Sequence, residues 1–122
     1  MIRLATKAAH ESTFRRARVG AVICKSGRVL STGFNRIGYS RFTLGRKWQT
    51  SIHAEAQAIL ELLKRKRLND LCGATIYVSR IDAKGRAACS KPCLNCQRLI
   101  TSVGISKVVY TSGSTTTENY RT

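Results

Sequence analysis

The chain of 122 residues is 43% apolar and contains 1 proline and 9 glycines, which fits one domain over residues 1–122 and excludes collagen-like, proline-rich and strongly disordered chains. No apolar run approaches the roughly 18 residues of a membrane span, and residues 1–10 lack the apolar core of a secretory signal, so we expect a cytoplasmic protein without membrane contacts. Lysine and arginine number 22 against 6 acidic residues, and the net charge of +16 favours phosphate-bearing partners without separating DNA, RNA, nucleotides and anionic lipid.

The first half of the chain predicts a helix followed by a β-hairpin. Apolar residues over 1–13 are spaced as in an amphipathic helix. Two β-rich runs, 19–24 and 28–34, are joined by Lys25-Ser26-Gly27, a turn that is typical of antiparallel strands. The stretch 35–50 mixes arginine, lysine and aromatic residues without a regular period, and we expect it to be a loop.

The second half predicts two helices and three strands. Helical spacing of apolar residues covers 51–67, and a second helix over 92–103 begins at Pro92, which suits a first turn. The three strands are expected at 74–78, 107–110 and 115–120. The connection between the last two strands is too short for a parallel crossover, so these strands are expected to be antiparallel. This order of elements predicts a mixed five-stranded sheet flanked by helices, an α/β domain.

Two short segments, each opening a predicted helix, combine the residues best suited to metal chemistry: His53-Ala-Glu55 and Pro92-Cys-Leu-Asn-Cys96. One imidazole and two thiolates fill three corners of a tetrahedral zinc site and leave the fourth for water, which is the open arrangement of a catalytic zinc. Cys93 and Cys96 share one face of a first helical turn, where the helix dipole favours thiolates. A carboxylate near such a metal is suited to proton transfer, so Glu55 is the candidate general acid and base.

The five cysteines are an odd number in a chain without a secretory signal, which argues against a disulfide framework. Cys89 precedes Cys93 by four residues and is the residue that would close a structural zinc site with four protein ligands. That alternative stays open, although we expect Cys24, Cys72 and Cys89 to be small buried hydrophobic residues.

His-x-Glu followed by Pro-Cys-x-x-Cys resembles the motif of the zinc-dependent cytidine, deoxycytidylate and nucleic-acid deaminases, a superfamily that includes the transfer-RNA adenosine deaminases. The resemblance extends to the framework strands at 19–22, 33–35, 74–78 and 108–110 and so covers most of the chain. It implies a three-layer cytidine-deaminase-like sandwich that hydrolyses a base amine and releases ammonia.

The resemblance also implies roles for individual residues. His53, Cys93 and Cys96 would bind Zn²⁺, while Glu55 would move protons. Four residues would contact the substrate: Asn35, Trp48, Ala54 through its backbone N–H, and Tyr110.

The substrate remains open between several classes. Relatives that act on adenine often carry glutamate immediately before Pro-Cys, so Ser90-Lys91-Pro92 favours cytosine, in a nucleotide such as dCMP or in single-stranded nucleic acid. The basic aromatic stretch from Arg36 to Trp48 suits a single strand, because bases stack on aromatic rings and cations follow the backbone. An adenosine-type deaminase and a non-catalytic, zinc-stabilised nucleic-acid-binding module are the alternatives. Relatives commonly assemble as dimers or tetramers, which makes a homo-oligomer possible here.

Overall fold

The structure is a computed structural model that describes residues 1–14, 17–40, 48–113 and 116–122, with the side chains of 37–40 and 48–51 outside the description. The helices are α1 (Ile2–Ala9), α2 (Ala54–Lys64), α3 (Leu68–Leu71) and α4 (Leu94–Ser102). The strands are β1 (Arg18–Lys25), β2 (Arg28–Phe34), β3 (Arg36–Ser40), β4 (Trp48–Ile52), β5 (Thr75–Ile81), β6 (Ala87–Ala88), β7 (Lys107–Thr111) and β8 (Thr117–Arg121).

The main sheet has the strand order β2-β1-β5-β7-β8, and the two-residue strand β6 pairs with β5 beside this path. Only the pair β5 and β7 is parallel within the described sheet, and α4 forms the crossover between these two strands. The predicted mixed sheet is confirmed, including its antiparallel end, where Thr111 pairs with Thr117. Strand β6 was not among the predicted strands. It forms because the Asp82 carboxylate accepts hydrogen bonds from the N–H groups of Lys84 and Arg86, and this turn brings the chain back onto β5.

The sheet is covered on both faces, which makes three layers. Helices α2 and α4 pack on one face through the larger part of the core, which includes Ile59, Ile76, Ile100 and Val108. Helix α1 covers the other face, where Ala5 packs with Val22 and Cys24. Because α2 and α4 share a face, their first turns are brought to the same side of the sheet.

Two glycines in the strands allow the helices to approach closely. A Cβ on Gly33 would lie 2.8 Å from the backbone nitrogen of Ala58 in α2, and a Cβ on Gly20 would lie 2.9 Å from the carbonyl carbon of Ala8 in α1. Strand β2 is also tied to α2 by hydrogen bonds, since Ser31 Oγ donates to the Ala58 carbonyl at 2.8 Å. These contacts set the position of the helix that carries the His-x-Glu motif.

The stretch 35–50 differs from the predicted loop. Strands β3 and β4 form a separate antiparallel ribbon in which Arg36 pairs with Ile52, whereas residues 41–47 lie outside the described residues. A ladder of backbone hydrogen bonds does not need an alternating apolar pattern, which is why periodicity missed it. Across the described residues, no helix has the length and apolar character that crossing a membrane requires.

Helix α2 is shorter than the predicted helix over 51–67 at both ends. Ile52 belongs to β4, and the extended backbone of His53, with ψ of 149°, makes this residue the N-cap. The chain leaves the helix after Lys64, and Lys66 adopts a positive φ of 56°. Helix α4 likewise begins at Leu94 rather than at Pro92, with Cys93 as its N-cap.

Candidate active site

The candidate site forms where two helices begin side by side. His53 is the N-cap of α2 and Cys93 is the N-cap of α4, and both residues have extended backbones that point the chain into a helix. Cys96 follows in the first turn of α4 and is buried. The shared packing of α2 and α4 on one sheet face therefore brings the two halves of the motif together.

The three side chains already have the spacing of a metal site. His53 Nδ1 lies 3.2 Å from Cys96 Sγ and 3.7 Å from Cys93 Sγ, and the donor atoms of all three residues lie within 4.8 Å of one another. Tetrahedral zinc with bonds of about 2.0 to 2.3 Å places neighbouring donors about 3.3 to 3.8 Å apart. In the described part of the chain, this cluster has three members and Cys89 does not belong to it. The residues therefore fit a zinc ion with one position free of protein ligands.

The protonation chemistry of Cys96 also points to a cation. Burial raises the pKa of the Cys96 thiol far above its ordinary value, and the Glu55 carboxylate and the Cys93 thiol raise it further. Without a cation this thiol keeps its proton at neutral pH, so it is unsuited to act as a free thiolate nucleophile. A bound divalent cation reverses that preference, because it stabilises the thiolate directly.

Glu55 is a buried carboxyl group beside the three donors. Burial raises the pKa of Glu55, while a hydrogen bond to its own backbone N–H, the charge of His53 and a hydrogen bond with Cys96 act in the opposite direction. A carboxyl group with a raised pKa holds a proton more readily than an exposed one, which suits a group that both takes and returns protons. The structure thus brings the predicted acid and base next to the predicted metal donors.

A cavity of about 200 Å³ opens onto these residues. It is smaller than the roughly 300 to 1,000 Å³ of sites for drug-sized ligands, so it suits a single base with the rest of a substrate reaching outwards. Ala54 lines the cavity as the first residue of α2, where the N–H group has no acceptor within the helix. The lining residues are Val19, Asn35, His53, Ala54, Glu55, Arg80, Cys89, Ser90, Lys91 and Cys93.

Asn35 lines the cavity, but its side-chain amide is already engaged. Its Oδ1 accepts the N–H of Val19 at 2.8 Å, and its Nδ2 donates to the carbonyl of Ala17 at 2.7 Å. These bonds hold the end of β2 against the start of β1. One amide hydrogen and one lone pair remain for a ligand, which is compatible with the predicted contact.

Tyr110, another predicted substrate contact, is not among the described residues that line the cavity. The Tyr110 ring is buried in the core, and its hydroxyl donates to Glu118 Oε2 at 2.9 Å across the β7 and β8 pair. The antiparallel return of β8 supplies that acceptor. Trp48 begins β4 opposite Ser40, and its side chain lies outside the described residues.

Sequence reasoning missed part of the cavity wall. Cys24 is buried as expected, but Cys72 and Cys89 are exposed, and Cys89 lines the cavity. The neighbouring Ser90 is buried, and its hydroxyl is satisfied there by two hydrogen bonds. It donates to the Val78 carbonyl at 2.7 Å and forms a hydrogen bond with Thr111 Oγ1 at 2.8 Å. Ser90 therefore anchors the segment that leads into Pro92 and Cys93.

Arg80 is another lining residue that sequence reasoning missed. It follows Ile76 and Val78 at every second position of β5, and both of those residues belong to the core under α2 and α4. The period of two along the strand was the signal that could have placed Arg80 on the same face.

The comparisons with known proteins agree with this geometry. Residues 1–112 match the family described as the cytidine and deoxycytidylate deaminase zinc-binding region. The chain is 34% identical over 126 residues to the deoxycytidylate deaminase of Mycobacterium phage D29, with 88% of each chain covered. It is 36% identical to the deoxycytidylate deaminase of Saccharomyces cerevisiae, over 89% of this chain and 35% of the yeast protein.

Among solved structures, the fold is similar to that of the dCMP deaminase from cyanophage S-TIM5 in complex with dCMP and dUMP. The TM-score is 0.67 at 23% identity, over 89% of this chain and 76% of the phage chain. The family match covers most of the chain and includes both halves of the metal motif. The chain therefore belongs to the zinc-binding cytidine and deoxycytidylate deaminase family.

Proposed function

We propose that the protein is a deoxycytidylate-type deaminase, which replaces the amino group of a cytosine mononucleotide by a carbonyl and releases ammonia. The observation that carries the proposal is the buried Glu55 carboxyl beside three metal donors at a cavity of base size. The substrate is supported by the relatives, since the phage D29 and yeast proteins are named deoxycytidylate deaminases. The S-TIM5 enzyme was crystallised with dCMP and dUMP.

His53 would hold zinc through Nδ1, and Cys93 and Cys96 would hold it through their sulfur atoms. The ion, when bound, supplies a strong nucleophile at neutral pH by acidifying water. These three donors are one fewer than the four protein ligands of a structural zinc site, so among the described residues the set would suit a catalytic zinc.

The residues of the chain would orient the base and move protons. The Ala54 N–H donates to the carbonyl oxygen of the base, which fixes the ring beside Glu55. The Glu55 carboxylate accepts a proton from water, the water oxygen bonds to the carbon that bears the amine, and Glu55 delivers the proton to the adjacent ring nitrogen. Glu55 then transfers the second water proton to the amine, the carbon–nitrogen bond breaks, and ammonia leaves as the carbonyl forms.

Glu55 also favours an enzyme over a zinc-stabilised binding module. Burying a carboxyl group without an ion-pair partner is unfavourable, and the raised pKa of Glu55 reflects that cost. A binding module gains nothing from such a group beside its metal, whereas a hydrolytic deaminase needs a proton carrier there.

The test compares ammonia release from dCMP, cytidine, adenosine and a short cytosine-containing single strand, at low and at high salt. We expect turnover of dCMP above all others. A rate on the strand that exceeds the rate on dCMP and falls steeply with salt would instead select a polynucleotide substrate. Preference for adenosine would select the adenosine-type alternative.

Glu55→Gln tests the proton carrier, with Glu61→Gln as the matched control on the more exposed part of the same helix. Glu55→Gln should retain zinc and the fold but lose about 100- to 10,000-fold in turnover. Glu61→Gln should retain activity. Undiminished turnover in Glu55→Gln would show that Glu55 is not the proton carrier.

A further inference from the structure

Arg80 carries a charge in the wall of the cavity that nothing in the described chain neutralises. Its Nε atom is buried without a hydrogen-bond partner, and among the described residues its guanidinium takes part in no ion pair. An unpaired, partly buried cation costs free energy unless a ligand compensates it. Its presence in a ligand cavity therefore indicates an anionic group that comes from outside the chain.

The position of Arg80 is set by the sheet. Arg80 pairs with Val19 on β1 and with Ala88 on β6, and its backbone N–H donates to Thr111 Oγ1 at 3.3 Å. It lies just beyond Val78, the last residue of β5 that pairs with β7 in parallel. Ligands of α/β sheets bind at the carboxyl ends of parallel strands, so Arg80 occupies a position from which side chains commonly reach a ligand.

Among the described residues, the cavity is lined by one acidic residue and by two cations, Arg80 and Lys91. Glu55 is the one acidic residue in the described lining, and it lies beyond ion-pair distance of Arg80. Lys91 is a second cation of the lining and is exposed to solvent. The carboxyl group lies beside the metal donors. The two cations have no acidic partner within ion-pair distance among the described residues and are left to receive an anion.

The geometry points to Arg80, assisted by Lys91, as the residue that binds the phosphate monoester of the substrate and makes a nucleotide preferred over a nucleoside. The identity of the base rests on the proposed function, but the recognition of the phosphate does not. A guanidinium presents a planar fork of donors that matches phosphate oxygens, and two cations balance a dianion better than the single charge of a phosphodiester. A mononucleotide is therefore favoured over an internal residue of a strand.

The kinetic test measures kcat/KM for dCMP, for deoxycytidine and for a short cytosine-containing single strand. Arg80→Gln should lower kcat/KM for dCMP by about 10- to 100-fold, mainly through KM, because it removes charge-assisted hydrogen bonds. Turnover of deoxycytidine should be unchanged, and Arg80→Lys should lose less than Arg80→Gln. Lys84→Gln, which removes one charge from the exposed turn between β5 and β6, is the matched control and should behave as the wild type.

Equal losses on dCMP and deoxycytidine in a folded Arg80→Gln variant would make Arg80 a structural residue and overturn the inference. A loss confined to the strand would overturn it in favour of a phosphodiester site. Arg80→Lys keeps the test valid if the glutamine variant unfolds, since a smaller reduction of nucleotide preference, without loss of deoxycytidine turnover, is expected there.

Binding of dUMP by calorimetry separates this inference from the proposed function. We expect the affinity of the wild-type protein for dUMP to exceed that of the Arg80→Gln variant. For deoxyuridine, which lacks the phosphate, we expect the two proteins to have equal affinities. A wild-type protein that releases no ammonia but binds dUMP through Arg80 would refute the deaminase proposal and leave the phosphate site standing. Equal dUMP affinity in both proteins would refute the phosphate site.

Discussion

His53 Nδ1 lies 3.2 Å from Cys96 Sγ, although 43 residues separate the two along the chain. The contact exists because each residue lies at the start of a helix and both helices pack on the same face of one sheet. The metal donors are therefore assembled by tertiary packing. Substitutions of the donors, and substitutions that disturb the packing of the two helices, should both alter zinc affinity.

Replacing Cys93 by serine should remove zinc and lower the thermal unfolding temperature, because a ligand set contributes to folding as well as to metal affinity. Cys89→Ser is the matched control: Cys89 lines the same cavity but is not a member of the three-residue donor cluster. Elemental analysis should find about one zinc per chain in the control and none in Cys93→Ser. Loss of zinc from Cys89→Ser would instead support a structural site with four protein ligands.

Zinc affinity should rise with pH. The raised pKa of the Cys96 thiol means that this group is protonated at neutral pH in the metal-free protein and must release its proton when it binds zinc. Each proton released strengthens binding by about tenfold per pH unit as long as the pH stays below the pKa of that thiol. Competition with a chelator between pH 6 and 8 measures this slope. An affinity that does not change with pH would mean that Cys96 stays outside the coordination sphere.

Gly33→Ala should weaken zinc binding, whereas Gly20→Ala should chiefly lower stability. A Cβ at Gly33 would overlap the backbone of Ala54 and Ala58 and push α2, which carries His53 and Glu55, away from the sheet. A Cβ at Gly20 would overlap the backbone of α1, on the face without metal donors. Such overpacking costs about 1 to 3 kcal/mol or more.

Both glycine variants should therefore unfold at lower temperature than the wild type. Zinc titrations on the folded fraction distinguish them. Equal zinc affinity in the two variants would show that the approach of α2 to β2 does not control the donor geometry.

Tyr110→Phe should lower thermal stability, whereas Tyr120→Phe should not. Tyr110 donates its hydroxyl to Glu118, so its removal leaves that carboxylate without the bond. The buried hydroxyl of Tyr120 has no partner among the described residues, so its removal costs no hydrogen bond. Calorimetry should give a lower unfolding temperature for Tyr110→Phe and an equal or higher one for Tyr120→Phe. A marked fall for Tyr120→Phe would reveal a partner for its hydroxyl.

The helices and the sheet were predictable where local signals agree with long-range packing. Apolar spacing located α2 and α4, and the short connection after Thr111 required β8 to be antiparallel to β7. The helix starts were placed too early, because the cap is defined by a backbone angle that residues such as His53 adopt only in context. The β3 and β4 ribbon was missed because backbone pairing leaves little trace in side-chain pattern.

In the candidate site, too, local patterns were predictable and long-range contacts were not. The residue types and spacing of His53, Glu55, Cys93 and Cys96 were sufficient to predict a three-donor metal cluster beside a carboxyl group, and the structure brings these residues together. Of the predicted substrate contacts, Asn35 and Ala54 line the cavity, whereas Tyr110 is not among the described lining residues. Tyr110 turns to Glu118, since the acceptor is supplied by a neighbouring strand whose register no local motif encodes.

What the sequence by itself determined is therefore the chemistry of the donors and the acid, because ligand type and helix-start spacing are local properties. Only the tertiary structure decided which charges meet those donors. Arg80 lines the cavity and has no ion-pair partner among the described residues because of the face it occupies on β5 and the strands beside it. Such strand pairing depends on contacts that are distant in the chain.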